Sequence, residues 1–301
     1  MHKFGEIFDR KMAEEVCRKL RFRGIEATFG PSVEESGKLE LFVEREEQVP
    51  VAFDFLRVNL GMNRVFEPPK EWEKMRSVSL GQITKTLIII SVGLFILGKI
   101  DSTKEFLDYF FISREPSKPF NEILKGELWR LWTPIFLHFG FMHIIFNMLW
   151  LKDLGSMIEH FKGAKVFSLL VFFTALIPNI LQYMIMGPFF GGMSGVVYGL
   201  LGFLWMHKTF DPETQYSLPK SDVVLMIVWF FLCLTGAMGP IANIAHGAGL
   251  GVGMLAGMLA GSLSFGKFNW SKAIQFTALS IFFVFGTVII EVLKGATRFG
   301  G

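Results

Sequence analysis

The chain has 301 residues, of which 51% are hydrophobic and 15% aromatic, with 34 phenylalanines and only 19% charged residues. Together with a positive mean hydropathy, this is the composition of a membrane protein and excludes an ordinary soluble globule. The formal net charge of +3 is small and its basic residues scatter through loops, which excludes a nucleic-acid footprint.

Residues 1–60 read as a small α/β head. Met1 to Gly30 is mixed and charged, with no basic stretch leading into an apolar one. No signal peptide is therefore expected to be removed, and the N-terminus is expected in the cytosol. Phe4, Ile7, Phe8, Met12, Val16 and Leu20 recur at three- and four-residue spacing, which predicts an amphipathic helix. Ile25 to Phe29 and Leu39 to Val43 predict short strands, separated by Gly30-Pro31-Ser32 and Gly37-Lys38. Glu44 to Leu60 returns to helical spacing, with Pro50 near its first turn. A unit this small buries little core and is expected to be a cytosolic accessory or docking module. Residues 61–83 read as a charged linker containing Pro68-Pro69. Cys17 in the head and Cys233 in an apolar run are expected to be unpaired packing residues.

Seven apolar segments follow, over approximately 84–100, 134–154, 164–186, 193–208, 222–238, 242–262 and 273–293. Each is near the length of a membrane span, about 20 residues, with shorter ones tolerated inside a bundle. Lys70, Lys74, Arg76 and Lys85 precede the first, Lys152, Lys162 and Lys165 follow the second, Lys208 and Lys220 the fourth, and Lys267 and Lys272 the sixth. The loops after the third and fifth carry no charge, so the positive-inside rule assigns them to the outer face. The loop from Lys99 to Thr133 is also expected outside, its six basic residues balanced by six acidic ones. Lys294 and Arg298, after the last segment, run against the rule.

In this topology the second, fourth and sixth segments all run from outside to inside, so their first turns share one depth. The intramembrane polar residues fall there: His138, His143 and Asn147, then Ser194, then Asn243 and His246. Polar groups at one level of a bundle are expected to face its interior and one another. His143 and Asn147, four apart, share a helix face. On the sixth segment Gly249, Gly253, Gly257 and Gly261 repeat every four residues, three after His246. On the fourth, Ser194 and Tyr198 share a face, with Gly195, Gly199 and Gly202 close beside it. Two glycine-lined faces let backbones approach closely, bringing Ser194 within reach of His246.

Serine is a weak nucleophile and needs a base titrating near neutral pH, which is histidine. Ser194 is the candidate nucleophile and His246 the base. His143, the Asn147 amide and the backbone N–H of Ser194 are candidates to meet a tetrahedral oxyanion. Asp222 and Glu159 sit at the cytosolic edge, and no intramembrane carboxylate is expected to complete a triad. Hence a dyad is expected, with Tyr198 offering a ring against which His246 packs. There is no His-Glu-x-x-His for zinc, and His138 and His143, five apart, lie on different faces of a helix. No pair of intramembrane aspartates exists. No cofactor or metal is expected.

Gly192-Met193-Ser194-Gly195, His143-x-x-x-Asn147 and Ala245-His246-Gly247 together resemble the rhomboid family of intramembrane serine proteases. The resemblance covers roughly residues 84–262, and the head is more loosely similar to the cytosolic N-terminal domain of bacterial rhomboids. It implies an all-α polytopic fold, with a six-helix rhomboid-like catalytic bundle over 84–262, the small α/β domain before it, and an additional C-terminal helix and tail over 263–301. It implies that Ser194 and His246 form the dyad and that His143 and Asn147 assist the oxyanion. Trp129-Arg130 matches a structural Trp-Arg pair in the first outer loop, and Gln182 a position linked to water near the dyad. Trp229 to Pro240 matches the fifth helix and capping loop, which form a lateral gate and lid; here the loop, Ala237 to Ile241, is short. The implied protein lies in a bacterial inner membrane and cleaves single-pass transmembrane substrates that enter between the second and fifth helices. The rival readings are a non-catalytic relative that holds membrane clients without cutting them, or a small channel or transporter; no internal repeat of a transporter is evident.

Overall fold

The structure, a computed structural model, describes residues 1–32, 37–61, 70–100, 105–115, 117–237, 239 and 241–299. The chain divides near residue 68 into two compact units.

In the first unit, β1 (His2–Ile7), β2 (Ala27–Pro31) and β3 (Leu39–Val43) form an antiparallel sheet in the order β1-β3-β2. Helix α1 (Arg10–Phe22) packs against β2, and α2 (Val49–Asn59) against β1. The single helix expected to begin near Phe4 is corrected here, because Phe4 and Ile7 belong to β1. Pairing with β3 shifts register between Lys3 and Gly5, and this bulge turns Phe4 and Ile7 to one buried face. Three-residue spacing in a strand then imitates a helical turn. Helix α1 begins only after Asp9, whose side chain accepts from the amides of Lys11 and Met12 at 2.8 and 3.3 Å, a cap worth about 1 kcal/mol. Phe8 is left exposed. Leu20, Leu41 and Leu56 fill the core beside the free thiol of Cys17.

The second unit is helical, with α3 (Lys70–Ser77), α4 (Gln82–Ile100), α5 (Asn121–Leu124), α6 (Phe141–Trp150), α7 (Ser156–Met186), α8 (Ser194–Phe210), α9 (Lys220–Leu234), α10 (Asn243–Phe265) and α11 (Trp270–Phe299). Helix α4, the run Phe141–Met186, α10 and Trp270–Gly295 of α11 are each long and apolar enough to cross a membrane. Many of their large apolar side chains, among them Ile96, Phe146, Leu263 and Phe285, are exposed, as on a surface that meets lipid. The chain is thus an integral, multi-pass membrane protein, a polytopic helical bundle preceded by a small α/β unit.

Two boundaries differ from the sequence pattern. The linker expected over 61–83 contains α3, whose Trp72 donates its indole N–H to Asp222 at 2.8 Å; Pro68-Pro69 lies outside the described residues. The second span, expected from residue 134, becomes helical only at Phe141, because Thr133–Phe136 forms a tight turn and the Pro134 carbonyl accepts the amide of Gly192 at 3.0 Å. Helix α6 then continues through a wide turn at Leu151–Gly155 into α7, and the break comes at Gly163, where φ is 82° and ψ 161°. Glycine adopts that conformation without a Cβ penalty, so the run over 141–186 is two helices. Just before the break, Glu159 accepts from the amides of Ile83 and Thr84 and from the Thr84 hydroxyl, capping the start of α4.

Helix α8 sits at the centre, with every residue from Gly195 to Leu204 buried, as expected for a helix apolar all round. Its backbone touches that of α10 along its length. A Cβ on Gly249, Gly253 or Gly257 would collide with the carbonyls of Gly195, Gly199 and Phe203 in turn, and one on Gly202 would lie 2.6 Å from the Leu250 carbonyl.

Candidate active site

Ser194 is the first residue of α8, and His246 lies in the first turn of α10. Because the two helices meet at Gly195 and Gly249, neither side chain needs length to reach the other. The Ser194 Oγ and His246 Nε2 are 2.6 Å apart, the separation of a nucleophile and its base. His246 is only 3% exposed. The Tyr198 ring lies 4.8 Å from the imidazole, inclined at 41°. Its hydroxyl donates to the Met226 carbonyl of α9 at 3.2 Å and Phe230 meets its face edge-on, so α9 fixes the surface on which His246 rests.

The first turn of α10 is held from two further helices. Gln182 of α7 accepts the Ala245 amide through Oε1 at 3.1 Å, satisfying an N–H that the helix start leaves unpaired. Asn243 donates through Nδ2 to the Cys233 carbonyl at 3.3 Å and to Oε1 of Glu291 at 3.0 Å. A carboxylate of α11, Glu291, thus bonds Asn243, while Nδ1 of His246 receives no bond from it. A lone Glu near the end of the last apolar segment reads in sequence as an interfacial charge.

Before Ser194 the chain is shaped by Gly192, whose φ of 131° is unfavourable to any side chain. A Cβ there would lie 2.7 Å from Nε2 of His143 and 3.5 Å from Oγ of Ser194, so its absence leaves a space that both flank. Asn147 donates one amide hydrogen to the His143 carbonyl at 2.8 Å, which leaves the second for a ligand. His138, given no role from sequence, lies in the extended chain ahead of Gly140, the N-cap of α6, so its helical face relative to His143 has no meaning. Its ring is 5.1 Å from that of His143. Its Nε2 accepts the Met193 amide at 3.3 Å and its Nδ1 faces the Phe136 carbonyl at 3.1 Å. Since a backbone amide only donates, the proton is assigned to Nδ1.

Arg130 is fully buried. It bonds Glu127 through Nε at 2.7 Å and the carbonyls of Asp108 and Phe111 through Nη1 at 2.6 and 2.7 Å, while Trp129 donates to the Tyr109 carbonyl at 3.1 Å. Both residues tie together the loop between α4 and α6. Trp229 of α9 meets Phe146 of α6, ring centroids 5.4 Å apart. Of the expected lid, Met238 and Pro240 lie outside the described residues.

Residues 125–263 match the family model of the rhomboid domain. Over 133 residues the chain is 39% identical to the rhomboid protease GlpG of Salmonella paratyphi A (strain ATCC 9150 / SARB42), which covers 44% of this chain and 48% of that relative. The chain thus matches about half the relative's length. Every site residue expected from sequence falls within the matched region, whereas Glu291 lies beyond it.

Proposed function

We propose that this protein is an intramembrane serine endopeptidase that cleaves single-pass transmembrane proteins near the outer leaflet of a bacterial inner membrane, with its N-terminus in the cytoplasm. The observation that carries the reading is the 2.6 Å contact between Ser194 Oγ and His246 Nε2 inside the region that matches the rhomboid domain.

In this mechanism His246 takes the Ser194 proton as Oγ bonds to the scissile carbonyl carbon, and the carbonyl π pair moves onto oxygen. The oxyanion forms beside Gly192, next to His143, and takes hydrogen bonds from His143, the second amide hydrogen of Asn147 and the Ser194 backbone N–H, each donor contributing about 3 kcal/mol by the precedent of other serine enzymes. Collapse breaks the C–N bond, and the leaving amine takes the proton from His246. Water then attacks the acyl-enzyme, gives its proton to His246, and Ser194 leaves protonated with the carboxylic acid released. The substrate enters between α6 and α9, past Phe146 and Trp229. A helix protects its own carbonyls, so segments weakened by Gly or Pro are cut in preference.

The test is cleavage of a labelled transmembrane substrate in liposomes by wild type, Ser194→Ala and His246→Ala. Product from wild type alone supports the reading. No product from wild type, across several substrates with helix-weakening residues, favours a protein that binds membrane clients without cutting them.

A further inference from the structure

Glu291 is 8% exposed, on the helix that lies beyond the matched region. Its Oε1 receives both Nδ2 of Asn243 at 3.0 Å and Nζ of Lys294 at 2.6 Å. The helix is seated closely enough to make this a matter of backbone packing. Asn243, Gly247 and Gly251 form a stripe on α10, and a Cβ on Gly247 would lie 2.7 Å from the Phe283 carbonyl while one on Gly251 would lie 2.7 Å from Val284.

The Asn243 amide has two acceptors, from Cys233 and Glu291, at one end. That end is therefore the NH2 group and the other is Oδ1. Among the described residues, Oδ1 of Asn243 and Nδ1 of His246 are both buried without a hydrogen-bond partner. The first is an acceptor. The second is a donor in any imidazole whose Nε2 is free to take the serine proton. The two residues are three apart in the first turn of one helix, neighbours on its surface.

We propose that Glu291 is a positioning residue for His246. By holding Nδ2 it anchors Asn243, and with it the first turn of α10 that carries His246, to α11, and this keeps the imidazole in the attitude that accepts the serine proton. The seventh helix is then part of the catalytic unit. The proposal rests on the protease reading above.

The test uses the full chain and kcat expressed per Ser194 titrated to completion with a fluorophosphonate, so that misfolded protein is not counted. Glu291→Met and Asn243→Ala are each expected to lower kcat about tenfold with KM changed less than about twofold. Glu291→Gln, which keeps an acceptor oxygen, is expected to stay within about twofold of wild type, and the double variant Glu291→Met, Asn243→Ala to fall no further than Asn243→Ala alone. Wild-type kcat in Glu291→Met overturns the proposal, as does failure of Glu291→Gln to rescue or a multiplying loss in the double variant. A wild type that neither cleaves nor reacts with the fluorophosphonate overturns the protease reading itself, and this inference with it.

Discussion

The backbone amide of Met193 donates to Nε2 of His138 at 3.3 Å, so the residue before the serine is tied to the segment that leads into α6. Met193 and the ring of His138 are both buried, and breaking their bond leaves a donor unsatisfied at about 1–3 kcal/mol. His138→Ala is expected to lower Tm by about 2–8 °C and to slow fluorophosphonate labelling of Ser194. Thermal melting in detergent alongside a labelling time course checks both; unchanged labelling would separate His138 from the site.

Gly192 leaves open the space between His143 and Ser194. Gly192→Ala fills it and adds backbone strain of about 1–3 kcal/mol at a positive φ. Cleavage is expected to fall about 100-fold or more through lost oxyanion contacts, with the folded protein still present by melting. Cleavage within a few-fold of wild type would move the oxyanion elsewhere.

Two glycines with different surroundings test the contact between α8 and α10. Gly253 abuts the Gly199 backbone, whereas Gly286 on α11 faces open space. Gly253→Val is expected to cost more than about 3 kcal/mol, since a backbone cannot yield as a side chain does, while Gly286→Ala is expected to be neutral or to stabilise by up to about 1 kcal/mol. Melting temperatures of the two variants give the comparison.

Trp229 and Phe146 hold α9 against α6 through their rings. Trp229→Ala is expected to raise the cleavage rate of a transmembrane substrate several-fold and leave the rate of fluorophosphonate labelling unchanged, because only the large substrate needs the helices to part. A parallel rise in both rates would mean that the ring shields Ser194 instead of gating entry.

The helices of the membrane unit were legible because glycine, serine and histidine are conspicuous against hydrocarbon-compatible sequence. The four-residue repeat from Gly249 to Gly261 marks a backbone-to-backbone contact, and the helices it joins carry Ser194 and His246. Other features left no such trace. The segment over 134–140 is as apolar as a helix, yet its Pro134 carbonyl serves the loop before Ser194, a long-range use that hydropathy does not register. In the head, the bulge between Lys3 and Gly5 gave a strand the spacing of a helix. Glu291 carries no signal in the sequence, because one carboxylate at the end of an apolar segment looks interfacial, and only the packing of α11 on Gly247 brings it to Asn243.

The pairing of Ser194 with His246 is tested most directly by mapping the residue that a fluorophosphonate modifies, using mass spectrometry of the intact membrane protein after digestion. The expected result is a single adduct on Ser194, formed by wild type and absent in His246→Ala. An adduct on another residue, or Ser194 labelled equally fast without His246, would contradict the pairing as the catalytic centre.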